Sequence, residues 1–197
     1  VPSFATNVAQ AAIGGALGDV LRRLWLLLLV ACTAIWLSSA LLAGADTALL
    51  SLVLGLSLCL YGGLSLTRPQ VPKPGDKEKW LSPLIGAING GLTGVTGSFV
   101  VPGVLYLQAL GWPRDIFVQA MGVLFTVSTV ALAASMTGRG LLPAELGLLS
   151  LVGLIPAFLG MYIGLKVRKR LSEERFRRIF FASVAVLGLY IIVRSLL

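Results

Sequence analysis

Long uninterrupted apolar runs constrain this chain more than any other feature of its sequence. Residues 24–43 and 47–66 each form a run of about 20 residues, the length that an α-helix needs to cross a hydrocarbon core of about 30 Å. Similar runs cover 116–136, 143–165 and 176–196. Only 12% of the 197 residues are charged, whereas an ordinary soluble domain has about 25%. The sequence therefore predicts an all-α, polytopic transmembrane helical bundle and excludes a soluble enzyme.

Residues 81–110 form an apolar segment of a different kind. The segment is too long for one comfortable span and too short for two. It contains six glycines between Gly86 and Gly103, together with Pro83 and Pro102. Such a sequence breaks a helix, and lipid does not tolerate the exposed amide groups of a break. The broken backbone is therefore expected to be buried in protein or to face a watery cavity.

The positions of the Lys and Arg residues predict the path of this segment. Cytoplasmic loops of membrane proteins carry an excess of basic residues. If 81–110 crosses the membrane once, the 16 basic residues divide into 8 on each side; if it enters and returns, 14 lie inside and 2 outside. The second arrangement predicts a re-entrant hairpin, with its turn near Gly94 to Gly97 at mid-bilayer and Trp80 and Trp112 as interfacial anchors.

The same count predicts the location of the protein. We expect a multi-pass protein of the cell (inner) membrane, with the loops 67–80 and 166–178 on the cytoplasmic side. The basic excess then marks that side, so no nucleic-acid partner is expected.

A set of three apolar helices occurs twice, with opposite charge patterns. The two sets are 3–17, 24–43 and 47–66, and 116–136, 143–165 and 176–196. The basic loop follows the first helix in one set and the second helix in the other, which predicts inverted repeats, as in many secondary transporters. The predicted organisation is a first repeat at 1–66, a cytoplasmic linker at 67–80 and a second repeat at 81–197. The first repeat is expected to lack a hairpin of about 30 residues before Val1.

The glycine-rich stretch 84–102, LIGAINGGLTGVTGSFVVP, resembles the signature of the TauE/SafE sulfite exporter family, also called TSUP. The stretches 106–112, 119–122 and 125–129 look like the segments that follow it there, and 6–10, 21–25 and 168–181 look like other parts of the family's repeats. The resemblance implies a transporter of sulfur-containing or other small organic anions. Family members often carry a run of glycines where this chain has Thr93, Thr96 and Ser98 between single glycines, which leaves the substrate open.

Uncharged donors are the expected ligands of such an anion, because no Lys or Arg lies in the middle of a predicted span. A helix restarting near Ser98 would direct its N-terminal N–H groups towards the turn. Primary amides are costly in hydrocarbon and are expected to face partners or a cavity. The predicted substrate-binding residues are Thr6, Asn7, Gln10, Asn89, Thr93, Gly94, Thr96, Gly97, Ser98 and Gln119.

Structural interpretations of these residues stay open beside the functional one. Gly86, Gly90 and Gly94 fit small-residue packing between helices, and the amides fit interhelical hydrogen bonding. The hydroxyls of Thr126, Ser128 and Thr129 are expected to bond the carbonyl one turn earlier.

The alternative functions are a membrane assembly subunit without its own substrate and a small-carboxylate transporter of the same fold. The chain has no His and no carboxylate pair within a span, so we expect no enzyme, no metal and no cofactor. The expected partners are a small anion and the lipid bilayer, with a homo-oligomer left open.

Overall fold

A computed structural model describes residues 2–43, 46–67, 72–140, 152–170 and 172–196. These residues form α-helices and two short 3₁₀ turns, Ser39–Ala43 and Gly75–Lys77, without a β-strand among them. The described helices are α1 (Pro2–Ala12), α2 (Leu17–Ser38), α3 (Thr47–Leu66), α4 (Glu78–Thr96), α5 (Gly103–Ala109), α6 (Arg114–Gly138), α7 (Leu154–Arg170) and α8 (Glu173–Leu196).

Four of the described helical stretches are long and apolar enough to cross a membrane: Leu17–Leu41, Ala48–Leu66, Arg114–Gly138 and Arg178–Leu196. They correspond to four of the five predicted spans, so the all-α polytopic prediction is confirmed. The fifth span, 143–165, lies partly outside the described residues. Its later part is the shorter apolar helix Leu154–Gly164.

The first helix ends earlier than the predicted range of 3–17. α1 ends at Ala12, and Gly14 and Gly15 follow with φ of 126° and 73°. A left-handed backbone is accessible to glycine at little cost, and it cannot continue an α-helix. The chain restarts as α2 at Leu17, so Arg22 and Arg23 lie inside a helix rather than in a loop.

The predicted basic loop at 166–178 consists largely of helix ends. α7 continues to Arg170, and α8 begins at Glu173. Lys, Arg and Glu are good helix formers, and polar composition alone therefore does not end a helix. The predicted linker at 67–80 is shortened for the same reason, because α4 begins at Glu78.

The helices divide into two compact units, the first of which comprises Val1–Gly44 and Val71–Leu154. In this unit α2 packs on α4 and α6, and α1 packs on α6. Gly86 lies against Leu27, and Gly94 lies against Ile35 and Ser38, so α2 and α4 run parallel. The fully buried core of this unit contains Leu24, Leu27, Leu107 and Leu124.

The second unit comprises Ala45–Gln70 and Ile155–Leu197. Here α3 packs on α8. A Cβ at Gly55 would meet Ile192, and a Cβ at Gly62 would meet Ala185, which shows that the two helices run antiparallel. Glycines at these contacts let the backbones approach closely, as is common between helices in membranes.

Candidate functional site

The two ends of the 81–110 segment meet at one end of α2. The Arg23 guanidinium donates from Nε and Nη2 to the Glu78 carboxylate, with N–O distances of 2.6 and 2.7 Å. The same guanidinium carbon lies 5.0 Å from the centroid of the Trp112 ring. Because Glu78 precedes the segment and Trp112 follows it, the two ends of the segment lie close together in space. The segment 81–110 thus forms a hairpin, and its re-entrant path through the membrane stays a prediction.

Small residues fix the first arm of the hairpin, α4, against α2. A Cβ at Gly86 would overlap the Leu27 carbonyl, and one at Gly90 would overlap the Ala31 carbonyl. A Cβ at Gly94 would overlap the Ser38 side chain. The contacts of Gly86, Gly90 and Gly94 fit the packing interpretation of these glycines. These contacts hold α4 in one position relative to α2.

The break in the hairpin lies slightly beyond the predicted turn. α4 continues through Thr96, and Gly97 ends it in the left-handed conformation at φ 71°. The helix restarts as α5 at Gly103 rather than near Ser98, with Pro102 at the N-cap position. Gly97 has no neighbouring atoms within 4 Å of an added Cβ, so its backbone conformation is what requires glycine there.

Hydroxyl groups satisfy the backbone at this break. Thr93 Oγ1 donates to the Ser98 carbonyl at 3.0 Å. Thr96 Oγ1 donates to the Leu92 carbonyl at 2.7 Å and accepts from the Ser98 N–H at 3.2 Å. Both threonine hydroxyls are therefore already used within the hairpin, and they hold the break in its observed shape.

Asn89 joins the two arms of the hairpin. Its Oδ1 accepts a hydrogen bond from the Gly103 N–H at 2.9 Å, and the residue is 0% exposed. This bond fixes the orientation of the amide, because only the oxygen can accept from an N–H. Nδ2 has no hydrogen-bond partner in the described part of the chain. The first N–H of α5 is thus occupied, and the Asn89 side chain keeps its N–H groups as donors.

Gln119 holds the break between α1 and α2. Its Oε1 accepts from the Ala16 N–H at 3.0 Å, and its Nε2 donates to the Ala11 carbonyl at 2.9 Å. Gln119 is 1% exposed. Both ends of this amide are therefore satisfied by backbone groups on either side of the Gly14 turn.

The remaining candidates on α1 face α6 or bond locally. Asn7 is 8% exposed, and a Cβ at Gly122 would overlap the backbone of Asn7 to Ala11. Thr6 Oγ1 donates to the Pro2 and Ser3 carbonyls. The structure thus groups Asn7 and Gln10 with α6, and groups Asn89, Thr93, Thr96 and Ser98 around the hairpin.

Two hydroxyls on α6 differ from their predicted behaviour. Thr129 Oγ1 donates to the Phe125 carbonyl at 2.7 Å, as predicted. Thr126 Oγ1 and Ser128 Oγ have no hydrogen-bond partner in the described region, so the predicted local bond is wrong for them. Ser135, seven residues beyond Ser128 and on the same helix face, bonds Ser39 of the 3₁₀ turn. Serines seven residues apart lie on the same face of a helix, so this spacing in the sequence indicates a polar face of α6.

An open groove of about 850 Å³ lies at the end of the hairpin where its arms meet. Its wall includes Arg23, Glu78, Lys79 and Ser82. The hydrogen bonds from the Arg23 guanidinium hold the pKa of the Glu78 carboxyl below its ordinary value. Within the described residues, no three His, Cys, Asp or Glu side chains lie together as metal ligands would.

The family model of the sulfite exporter TauE/SafE matches residues 1–191. The chain has no significant match among curated proteins or among solved structures. The family match spans both units and includes the broken hairpin, whose glycine-rich sequence carries the resemblance. Members of this family are membrane transporters of the anion-exporting type. The chain, a multi-pass membrane protein, therefore belongs to the sulfite exporter TauE/SafE family.

Proposed function

We propose that this protein is a secondary transporter or facilitator of sulfite or a related organosulfur anion, with its binding site inside the 81–110 hairpin. The observation that carries the proposal is Asn89, a completely buried amide that caps α5 with its oxygen and retains its nitrogen as a donor. A buried donor that faces no protein acceptor suits a ligand that brings only acceptors.

The depth of Asn89 suits an occluded site. Asn89 lies nine residues after Trp80 along α4, which corresponds to about 14 Å at 1.5 Å per residue. Half of a hydrocarbon core is about 15 Å. With Trp80 at the interface, the Asn89 amide is near the membrane midplane, where secondary transporters built from inverted repeats bind their substrates.

The helix pairing supports inverted repeats and alternating access. α1 packs on α6 within the first unit, and α3 packs on α8 within the second. Each pair joins helices that hold the same place in the two proposed repeats, 1–66 and 81–197. The glycine contacts show that both pairs are antiparallel, as a two-fold axis in the membrane plane requires.

The charge distribution supports a cytoplasmic position for the end where the hairpin arms meet. Lys77, Lys79 and Arg114 lie in sequence near the Glu78 and Trp112 ends of the hairpin, and Arg23 contacts both ends in space. We propose that this end and the basic residues of 166–178 lie on the cytoplasmic side of the inner membrane.

Purified protein in liposomes tests the function. We expect protein-dependent sulfite flux that thiosulfate or sulfoacetate inhibits, with protein-free liposomes as the control. Flux of acetate with none of sulfite would favour the small-carboxylate alternative. The Thr93 and Thr96 hydroxyls are already hydrogen-bonded within the hairpin, which favours the second candidate function, a membrane assembly subunit. That function predicts no flux of any of these anions.

A further inference from the structure

Six buried side-chain atoms have no hydrogen-bond partner among the residues that the structure describes. They belong to Ser65, Ser82, Asn89, Tyr106, Thr126 and Ser128. Proteins leave few buried polar atoms unsatisfied, so each of them calls for an explanation, and a bound ligand is one. Asn89 at 0% and Ser128 at 1% exposure are the most deeply buried of the six.

The other four have different surroundings. Ser82 borders the open groove beside Arg23, where water can reach. The Tyr106 ring belongs to the apolar cluster of the first unit, and its hydroxyl lies close to that of Ser82. Thr126 is only partly buried, and Ser65 lies in the second unit. Asn89 and Ser128 remain as deeply buried donors within the first unit.

Asn89 of α4 and Ser128 of α6 are related through Gly103 and Leu124. A Cβ at Gly103 would lie 2.7 Å from Asn89 Oδ1 and 2.9 Å from Leu124 Cδ2, so these three residues meet. Ser128 follows Leu124 by four residues on α6, which places it on the same face and about 6 Å further along the helix axis.

The far end of α6 confirms the direction of this face. Ser135 bonds Ser39, and a Cβ at Gly94 of α4 would lie 2.9 Å from the Ser39 nitrogen. The face of α6 that carries Leu124 and Ser135 is therefore turned towards the α2–α4 pair at both ends. Ser128 lies between these two contacts.

The helices around Asn89 and Ser128 carry no charged residues in their central parts. No charged residue occurs in 24–45, 80–113 or 116–138, which include the central parts of α2, α4 and α6. The cost of transferring an ion out of water rises with the square of its charge, and a site without a cation has only hydrogen bonds to offset it. A second negative charge would therefore be far more costly here than the first.

We infer that the Asn89 amide nitrogen and the Ser128 hydroxyl together bind the oxygen atoms of the transported anion, and that this pair accepts singly charged oxyanions in preference to doubly charged ones. The inference rests on the proposed function. For sulfite it means that the hydrogensulfite ion is the species carried. The two N–H groups of the amide and the O–H of the serine supply three donors.

Competition between two anions of similar shape tests the charge preference. Methanesulfonate and sulfate are both tetrahedral, but the first is singly and the second doubly charged. We expect methanesulfonate to inhibit sulfite flux at least about tenfold more strongly than sulfate, in liposomes at zero membrane potential. Equal inhibition by sulfate would overturn the inference while leaving the proposed function intact.

Two variants test the residues. Asn89→Asp keeps an oxygen for the Gly103 N–H, but an ionised carboxylate repels the anion and a protonated one has a single donor. We expect a loss of sulfite flux of about tenfold or more, as is typical when a hydrogen bond to a charged group is removed. Ser128→Ala removes a hydroxyl that no described residue uses, and we expect a smaller loss of flux with an unchanged or raised unfolding temperature.

Thr129→Val is the matched control for Ser128→Ala, because the Thr129 hydroxyl is satisfied within its own helix. We expect unchanged flux. If Asn89→Asp and Ser128→Ala both transport sulfite at the wild-type rate, the assignment of these residues is wrong. If the wild-type protein moves no anion at all, the proposed function fails and this inference fails with it.

Discussion

Two breaks interrupt the helices of the first unit, and each is held by a buried primary amide. At the break between α1 and α2, Gln119 uses its oxygen for the Ala16 N–H and its nitrogen for the Ala11 carbonyl. At the hairpin break, Asn89 uses its oxygen for the Gly103 N–H and leaves its nitrogen without a partner in the described region. In Gln119 both the nitrogen and the oxygen bond the backbone, whereas in Asn89 only the oxygen does.

This difference distinguishes an amide that holds the backbone in place from an amide that can bind a substrate. An amide whose nitrogen and oxygen both bond the backbone is anchored on both sides of a turn and keeps at most one N–H for a ligand, so we assign Gln119 a positioning role. An amide that keeps its donors retains the capacity to bind an anion, so we assign Asn89 to the substrate. If this distinction is correct, substitution of Gln119 lowers stability first, and substitution of Asn89 lowers transport first.

Gln119→Leu is expected to have the largest effect on stability. It leaves the Ala16 N–H and the Ala11 carbonyl without their partners, and each unsatisfied buried group costs about 1–3 kcal/mol. We expect a loss of about 3 kcal/mol, measured as a lower midpoint of thermal unfolding in detergent. Gln108→Leu is the control, because Gln108 is an exposed glutamine on α5. Equal midpoints for the two variants would contradict the positioning role.

The glycines of the two breaks permit a second comparison, with a smaller effect. Gly14 has φ 126°, and an added Cβ would lie 2.8 Å from Gln119 Oε1; Gly97 has φ 71° and open space around it. Gly14→Ala therefore combines backbone strain with a steric clash and is expected to cost about 2 kcal/mol. Gly97→Ala has only the strain and is expected to cost about 1 kcal/mol. The reverse order of unfolding midpoints would show that the hairpin break is the more tightly constrained of the two.

The long helices and the hairpin could be predicted from the sequence because they depend on properties that add along the chain. Span length follows from apolar runs, and the hairpin shape of 81–110 follows from counting basic residues on each side of the membrane. The end of α1 and the continuation of α7 to Arg170 depend on local backbone conformation and on helix propensity. The mean hydropathy of a segment therefore detects neither the end of α1 nor the continuation of α7.

The site was predictable only in part, for a different reason. The sequence identified Asn89 and Gln119 as costly amides in an apolar segment, but it could not show which of their atoms meet the backbone. That depends on register between helices distant in sequence, such as the 103 residues between Ala16 and Gln119. Ser128 was predicted to bond within its helix, and the absence of that bond is visible only in the structure.

The smallest expected effect concerns the ion pair between Arg23 and Glu78. This pair links the two breaks, since Arg23 lies on the helix after the first break and Glu78 lies on the helix before the second. Arg23 lowers the pKa of the Glu78 carboxyl. The Glu78 carboxylate therefore stabilises the fold fully at a pH above the ordinary carboxyl pKa of about 4.3, and this contribution is lost as the pH falls through the lowered pKa. Both side chains are partly exposed, at 38% and 24%, and such pairs contribute less than about 1 kcal/mol.

We therefore expect Glu78→Gln to lower the unfolding midpoint slightly at pH 7, and to have no effect once the pH is below the Glu78 pKa. Asp76→Asn removes the same charge two residues earlier and is the control. A difference between wild type and Glu78→Gln that persists unchanged at low pH would mean that the side chain acts through packing rather than charge. In that case, the two breaks would not be coupled electrostatically, and each amide would hold its own turn independently.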